Sequence, residues 1–129
     1  MKTSIKFEHD EQAALFRWAA LNRKKHPELA LMFAIPNGGH RHISVARRLK
    51  AEGVKAGVPD IFLPVKHQAY FTEGDVPNYH GLFIEMKAGK NTPTPAQVWW
   101  HEHLRDSGYC VEVCYGWEEA VKLIKQYLG

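Results

Sequence analysis

Apolar residues that recur every three or four positions, together with residues that favour helix ends, predict four helices in the chain. These are expected over residues 8–25, 44–52, 95–107 and 117–128. Pro27 ends the first helix, and Ser44 is a favourable N-cap for the second. Thr94 and Gln97 have the spacing of a capping box, which predicts the start of the third helix.

Short apolar segments between the helices predict strands over residues 31–35, 61–65, 81–87 and 109–115. The first strand is expected to be buried and to end at a turn of sequence PNGG, and a polar loop follows the second strand. Helices that alternate with short buried strands predict an α/β fold, in which a central mixed β-sheet is flanked by helices. A chain of 129 residues is expected to form a single domain, residues 1–129.

Composition argues against a membrane protein and against a redox site. The longest apolar run, residues 29–35, has seven residues, whereas a bilayer-spanning helix needs roughly 18 to 20. No apolar block resembles a signal sequence, so the protein is expected in the cytoplasm. Cys110 and Cys114 are four positions apart on a predicted strand, roughly 13 Å, which is too far for a disulfide. Both are expected to be buried thiols.

Basic residues are concentrated in one stretch, although the net charge of the whole chain is only +3. The stretch between positions 40 and 55 contains five arginine and lysine residues and only one acidic residue, Glu52. Such a stretch is typical of a phosphate-binding surface, although a solvated helix has the same composition. The turn that precedes it offers backbone N–H groups to phosphate. The candidate DNA-binding residues are therefore Asn37, Gly38, Gly39, Arg41, Arg47, Arg48, Lys50 and Lys55.

Two carboxylates at the ends of predicted strands carry the candidate chemistry. Glu85 and Lys87 alternate onto the same side of the third strand, and Asp60 immediately precedes the second. If these strands are neighbours, the carboxylates of Asp60 and Glu85 repel each other unless a cation lies between them. Mg²⁺ or Mn²⁺ prefers oxygen ligands, which Asp60, Glu85 and the carbonyl of Met86 would supply. A surface ion pair is the alternative interpretation of Glu85 and Lys87.

Such a metal would stabilise charge on a phosphodiester and lower the pKa of an attacking water. Lys87 would orient that water or stabilise the transition state. The three side chains therefore predict a metal-dependent phosphodiesterase.

Pro59-Asp60 followed by Glu85-Met86-Lys87 resembles the signature of the PD-(D/E)XK nuclease superfamily. Further segments resemble the VRR-NUC domain, the virus-type replication-repair nuclease module: residues 35–39 (IPNGG), 50–60 (KAEGVKAGVPD), 94–97 (TPAQ) and 113–117 (VCYGW). This resemblance extends over nearly the whole chain, and it implies a restriction-endonuclease-like core in a stand-alone module of the phage or bacterial type.

The resemblance also implies an activity and a partner. It implies a DNA endonuclease dependent on Mg²⁺ or Mn²⁺ that cuts branched DNA, such as four-way (Holliday) junctions, as a homodimer. Two alternatives stay open: a non-catalytic nucleic-acid-binding domain on the same scaffold, and a flap-directed or RNA-directed nuclease.

Members of the family place an acidic residue of the first helix at the metal site, and two residues of this chain fit. Glu8 forms the family-like pattern Glu-His-x-x-Gln with His9 and Gln12, while Glu11 lies on a comparable helical face. Either acid is also favourable near a helix N-terminus, and Glu8 is the preferred candidate, both as a catalytic residue and as a metal ligand. The resemblance further implies that Gln97 contacts the site, with the capping box as its alternative role.

Overall fold

The computed structural model describes residues 4–36, 42–67 and 78–129. Its helices are α1 (Ser4–Leu21), α2 (Ile43–Ala51), α3 (Pro95–Asp106) and α4 (Trp117–Leu128). Its strands are β1 (Phe33–Ala34), β2 (Ile61–Leu63), β3 (Leu82–Lys87) and β4 (Cys110–Tyr115). A short 3₁₀ helix, Pro27–Leu31, precedes β1. No helix within these ranges combines the length and the apolar composition that a bilayer-spanning segment requires.

The four strands form a mixed sheet in the order β1-β2-β3-β4. β2 is antiparallel to both of its neighbours, whereas β3 and β4 are parallel. Parallel neighbours need a crossover connection, and α3 provides it. The α/β fold with a central mixed sheet is therefore confirmed.

Helices cover both faces of the sheet. On one face, Leu82, Ile84 and Met86 of β3 are buried together with Leu15 of α1 and Ile124 of α4. The alternate side chains of β3 point to the opposite face, where α3 lies. Every residue of β3 is buried, as expected for a central strand between two layers of helices. Any polar side chain on this strand must therefore find its partner inside the protein.

The first helix was predicted over residues 8–25, but it begins at Ser4 and ends at Leu21. The side chain of Asn22 gives the physical reason, because its Nδ2 donates a hydrogen bond of 2.8 Å to the carbonyl of Trp18. The backbone N–H of Asn22 bonds to the carbonyl of Ala19, three residues back, so the helical ladder ends here. Asparagine side chains compete with helical hydrogen bonds in this way.

The buried strand predicted over residues 31–35 is wrong in both extent and burial. β1 has only two residues, and Phe33 is 48% exposed because β1 lies at the edge of the sheet. Pro27 instead starts a 3₁₀ helix, since its fixed φ suits a first helical position. Leu29 and Met32, three residues apart, are the buried residues of this segment, which matches the 3₁₀ repeat.

N-cap residues were predicted for α2 and for α3, and the prediction was correct only for α3. The capping box of α3 is confirmed, since Thr94 and Gln97 exchange both hydrogen bonds. Ser44 was the wrong N-cap for α2, because His42 is the cap and its ring nitrogen Nδ1 accepts a hydrogen bond from the backbone N–H of Ser44. Histidine can accept in this way when Nδ1 carries no proton.

Both cysteines are free, as predicted. Cys114 is buried and Cys110 is half-buried. Burial raises the pKa of Cys114 to about 12 and that of Cys110 to about 11. These thiols are therefore protonated and unreactive at neutral pH.

Candidate active site

The register of the sheet brings Asp60 and Glu85 together. Ile61 pairs with Ile84 in antiparallel strands, so the residue before Ile61 lies opposite the residue after Ile84. The side chains of Asp60 and Glu85 are close enough for Asp60 to raise the pKa of Glu85. Oδ2 of Asp60 also accepts a hydrogen bond of 2.7 Å from the backbone N–H of Met86. Asp60 and Glu85, which the sequence brings together if β2 and β3 are adjacent, are thus neighbours.

The loop that delivers Asp60 is fixed against α3. Gly57 has a φ of +91°, and a Cβ at this position would lie 2.9 Å from the backbone of Ala96. A side chain would therefore be strained and would also push the loop away from the helix. Nε1 of Trp100 donates to the carbonyl of Ala56 at 3.1 Å. These two contacts to α3 determine where the following residues enter β2.

Glu85 is held in an environment that opposes its negative charge. Its side chain is only 1% exposed. Burial is the main cause, and the adjacent Asp60 the second, of a pKa raised from 4.5 to about 9. Lys87 acts in the opposite direction, and Glu8 raises the pKa further. A carboxyl pair of this kind retains a proton at neutral pH unless a cation neutralises it.

Two residues of α3 contact the oxygens of Glu85. Nε2 of Gln97 donates to Oε2 at 3.3 Å, and Nε2 of His101 lies 3.1 Å from Oε1. Residues four positions apart lie on the same face of a helix, so both side chains reach the same carboxyl group. Burial lowers the pKa of His101, so this contact is a hydrogen bond between largely neutral groups.

Gln97 combines the two roles that its sequence context suggested. Its Oε1 accepts from the backbone N–H of Thr94 at 2.9 Å, which completes the capping box. Its Nε2 faces Glu85. His101, in contrast, was missed as a site residue. The available signal was its position four residues after Gln97, on the same helical face.

Lys87 lies two residues beyond Glu85 on the same side of β3. It is only 7% exposed. The side chain borders an open cavity of about 440 Å³, which Glu11 and Tyr115 also line. Lys87 thus lies between the buried carboxyl group of Glu85 and a space that an external molecule can enter.

The structure separates the two candidate acids of α1. Oε2 of Glu11 accepts a hydrogen bond of 2.9 Å from the backbone N–H of Trp117, the first residue of α4. A carboxylate at this position satisfies a free backbone donor and the positive end of the helix dipole. Glu8 is half-buried and influences the charge of Glu85. Glu11 therefore has a structural contact of its own, whereas the charge of Glu8 raises the pKa of Glu85.

The donor set around Glu85 suits a hard cation that keeps part of its own solvent shell. Across residues 4–36, 42–67 and 78–129, no group of three acidic, histidine or cysteine side chains could hold one metal ion. Glu8 is accordingly not placed as a third protein ligand. Mg²⁺ is usually held by one or two carboxylates together with water and substrate phosphate oxygens. Asp60 and Glu85 fit that pattern, with the adjacent backbone of Met86.

The candidate DNA-binding residues are only partly within the described structure. Asn37, Gly38, Gly39 and Arg41 lie outside it. The remaining basic side chains are all exposed, and none of the residues of α2 is buried. Arg48 lies 3.9 Å from Glu52, and both side chains are well exposed, so this pair contributes little to stability. The exposed basic side chains are Arg47, Arg48, Lys50 and Lys55.

Comparison with known proteins gives the chain a family. The family model for the VRR-NUC domain matches residues 6–118. A solved structure described as a VRR_NUC domain protein superimposes with a TM-score of 0.72 at 31% sequence identity, and the alignment covers 94% of this chain and 87% of that one. No curated protein matches the chain. The matched range, residues 6–118, contains Asp60, Glu85 and Lys87, and the chain belongs to the VRR-NUC domain family.

Proposed function

We propose that the protein is a Mg²⁺- or Mn²⁺-dependent DNA endonuclease that hydrolyses phosphodiester bonds. The observation that carries the proposal is the buried carboxyl group of Glu85 beside the half-buried Asp60, with Lys87 on the same side of the same strand as Glu85. Burying the carboxyl group of Glu85 beside a second carboxyl group opposes folding, so a role in binding a cation is a better explanation than a structural one. Membership of a nuclease-type domain family supports this interpretation.

Asp60 and Glu85, together with the carbonyl of Met86, would hold the metal. The metal, when bound, supplies positive charge to the phosphodiester and lowers the pKa of a coordinated water. Lys87 contributes a donor that orients the attacking water or stabilises charge as it develops on the phosphate. Gln97 and His101 fix the orientation of the Glu85 carboxylate through its two oxygens. Glu8 adds negative charge that favours a cation at this position.

We further propose branched DNA as the substrate and a homodimer as the active form. Exposed basic side chains on α2, such as Arg47 and Lys50, suit phosphate contacts that are independent of base sequence. Val98 and Trp99 on α3 present apolar surface that suits contact with a second copy. Two-fold symmetry would then present two active sites to opposed strands of a junction.

The decisive experiment is digestion of single-stranded, duplex, flap and four-way DNA with Mg²⁺, Mn²⁺ or EDTA, with RNA forks in parallel. We expect paired cuts in four-way DNA with either metal and no cleavage in EDTA. Binding without cleavage under every metal condition would favour the non-catalytic alternative, and cleavage of RNA alone would change the substrate class. The mass of the protein in solution, measured by light scattering, tests the homodimer.

Replacing Gln97 by alanine is expected to weaken Mn²⁺ binding roughly 10-fold or more, because Glu85 loses an orienting donor. The change also removes half of the capping box, so Thr94→Ala is the matched control. Thr94→Ala removes the hydroxyl that accepts from the backbone of Gln97 but leaves the Gln97 side chain in place. Each variant should lower the free energy of unfolding by about 1 kcal/mol.

Titration calorimetry with Mn²⁺ separates the two roles of Gln97. Only Gln97→Ala should lose affinity, while urea unfolding should register both substitutions. Equal Mn²⁺ affinity in the two variants would show that Gln97 acts only as a helix cap.

A further inference from the structure

The cavity beside Lys87 is also lined by residues that have no role in the proposed reaction. Lys87 and Tyr115 pair across the parallel strands β3 and β4, so their side chains point to the same side of the sheet. Phe7 and Glu11 of α1 form another wall, and the lining is completed by Ala88, Gly89 and Gly116. The volume of about 440 Å³ lies within the range of roughly 300–1,000 Å³ that is typical of sites for small organic groups.

Tyr115 is both anchored and accessible. Its hydroxyl donates a hydrogen bond of 2.8 Å to the carbonyl of Asn91, in the loop that follows β3. The side chain is nevertheless 41% exposed. Because the hydroxyl already has its partner within the protein, the part of Tyr115 available to a ligand is the aromatic ring. A ring held at one end has little freedom to lose when a planar group stacks on it.

The charges around the cavity restrict what it can bind. Lys87 supplies a cation at the end nearest Glu85, while Glu11 supplies a carboxylate on the α1 side. An anionic group is therefore favoured at Lys87 and disfavoured beside Glu11. A nucleotide matches this asymmetry, because its phosphate is charged and its base is neutral and planar. Sites for single-stranded nucleic acid combine a cation for the backbone with an aromatic ring for the base in the same way.

We propose that this cavity binds an unpaired nucleobase of the DNA strand next to the scissile phosphate, with the base stacked on Tyr115. The inference rests on the proposed nuclease function and specifies what the enzyme recognises. A base can enter the cavity only when it is unstacked from its duplex neighbours. At a branch point the base stack is interrupted, so a base there leaves the stack at a lower free-energy cost than a base in continuous duplex. Tyr115 is thus a specificity residue for strands with an unpaired base at the cut.

The test combines a protein variant with a DNA variant. After the cut site is mapped, single abasic residues are placed at each position from two nucleotides before the cut to two after it. At one of these positions the wild-type protein should lose roughly five-fold or more in kcat/KM, the loss expected for one stacked base. Tyr115→Leu should cleave intact DNA with a similar reduction in kcat/KM. An abasic residue in the DNA should not reduce the kcat/KM of this variant further. Losses that remove the same contact do not add.

Two control variants isolate the role of the ring. Tyr115→Phe keeps the ring and should still discriminate against the abasic DNA. Phe33→Leu removes a comparably exposed ring at the opposite edge of the sheet and should behave as the wild type. As a measurement that needs no variant, 2-aminopurine at the sensitive position should lose fluorescence when the wild-type protein binds the DNA in EDTA.

The outcomes distinguish the inference from the function on which it rests. If the wild type cleaves DNA but Tyr115→Leu retains the full abasic effect, or if 2-aminopurine fluorescence is unchanged on binding, the base-binding cavity is wrong and the nuclease proposal stands. If the wild type cleaves no DNA with Mg²⁺ or Mn²⁺, the proposed function is wrong, and the inference that depends on it is wrong as well.

Discussion

Replacement of Lys87 by methionine is expected to slow DNA cleavage at least about 100-fold, because it removes a donor positioned for charge that develops on the phosphate. Methionine has a similar length and suits a position that is only 7% exposed, so the fold should persist. The measurement is single-turnover cleavage at saturating Mn²⁺, which separates the chemical step from metal affinity. Circular dichroism and thermal melting check that the variant is folded.

Lys122→Met is the matched control for this prediction. Lys122 is exposed on α4, so the substitution removes the same charge away from the candidate active site and should leave the cleavage rate within about two-fold. Wild-type cleavage by Lys87→Met would exclude Lys87 from the reaction. A loss of cleavage that saturating Mn²⁺ restores would instead make Lys87 a charge partner of Glu85 and not a group that acts on the phosphate.

Those parts of the site that depend on strand alternation and local signals could be predicted from the sequence. Glu85 and Lys87 are two residues apart on one strand, and a period of two places them on the same side whatever surrounds them. The start of α3 was also predictable, because Thr94 and Gln97 satisfy each other within one helical turn. The adjacency of Asp60 and Glu85 required one further assumption, that β2 and β3 are neighbours, which the sheet bears out.

The parts that were missed, wrong or left open depend on contacts between distant segments. Glu8 and Glu11 are equivalent on an isolated helix, and only the N-terminus of α4, more than 100 residues away, distinguishes them. His101 has the same local sequence whether it faces solvent or a buried carboxyl group, and the packing of α3 on the sheet decides which. Phe33 was expected to be buried but is 48% exposed, because β1 is an edge strand with no neighbouring strand on one side.

Glu85→Gln is expected to abolish Mn²⁺ binding and DNA cleavage, and to stabilise the metal-free protein at neutral and alkaline pH. The amide has nearly the same size as the carboxyl group but carries no charge that must be removed from water. Because the pKa of Glu85 is raised from 4.5 to about 9, the folded wild type binds a proton that the unfolded chain releases. Its free energy of unfolding should therefore fall as pH rises through this window, by at most about 1.4 kcal/mol per pH unit.

Urea unfolding in EDTA at pH 6 and pH 8 measures this effect. The wild type should be less stable at pH 8, and the difference between the two pH values should be much smaller in Glu85→Gln, which has no proton to lose at this position. Glu112→Gln on β4 removes an exposed carboxylate and should leave the wild-type pH dependence unchanged. Equal wild-type stability at both pH values would show that Glu85 is already ionised in the metal-free fold. Wild-type Mn²⁺ affinity in Glu85→Gln would remove this residue from the metal site.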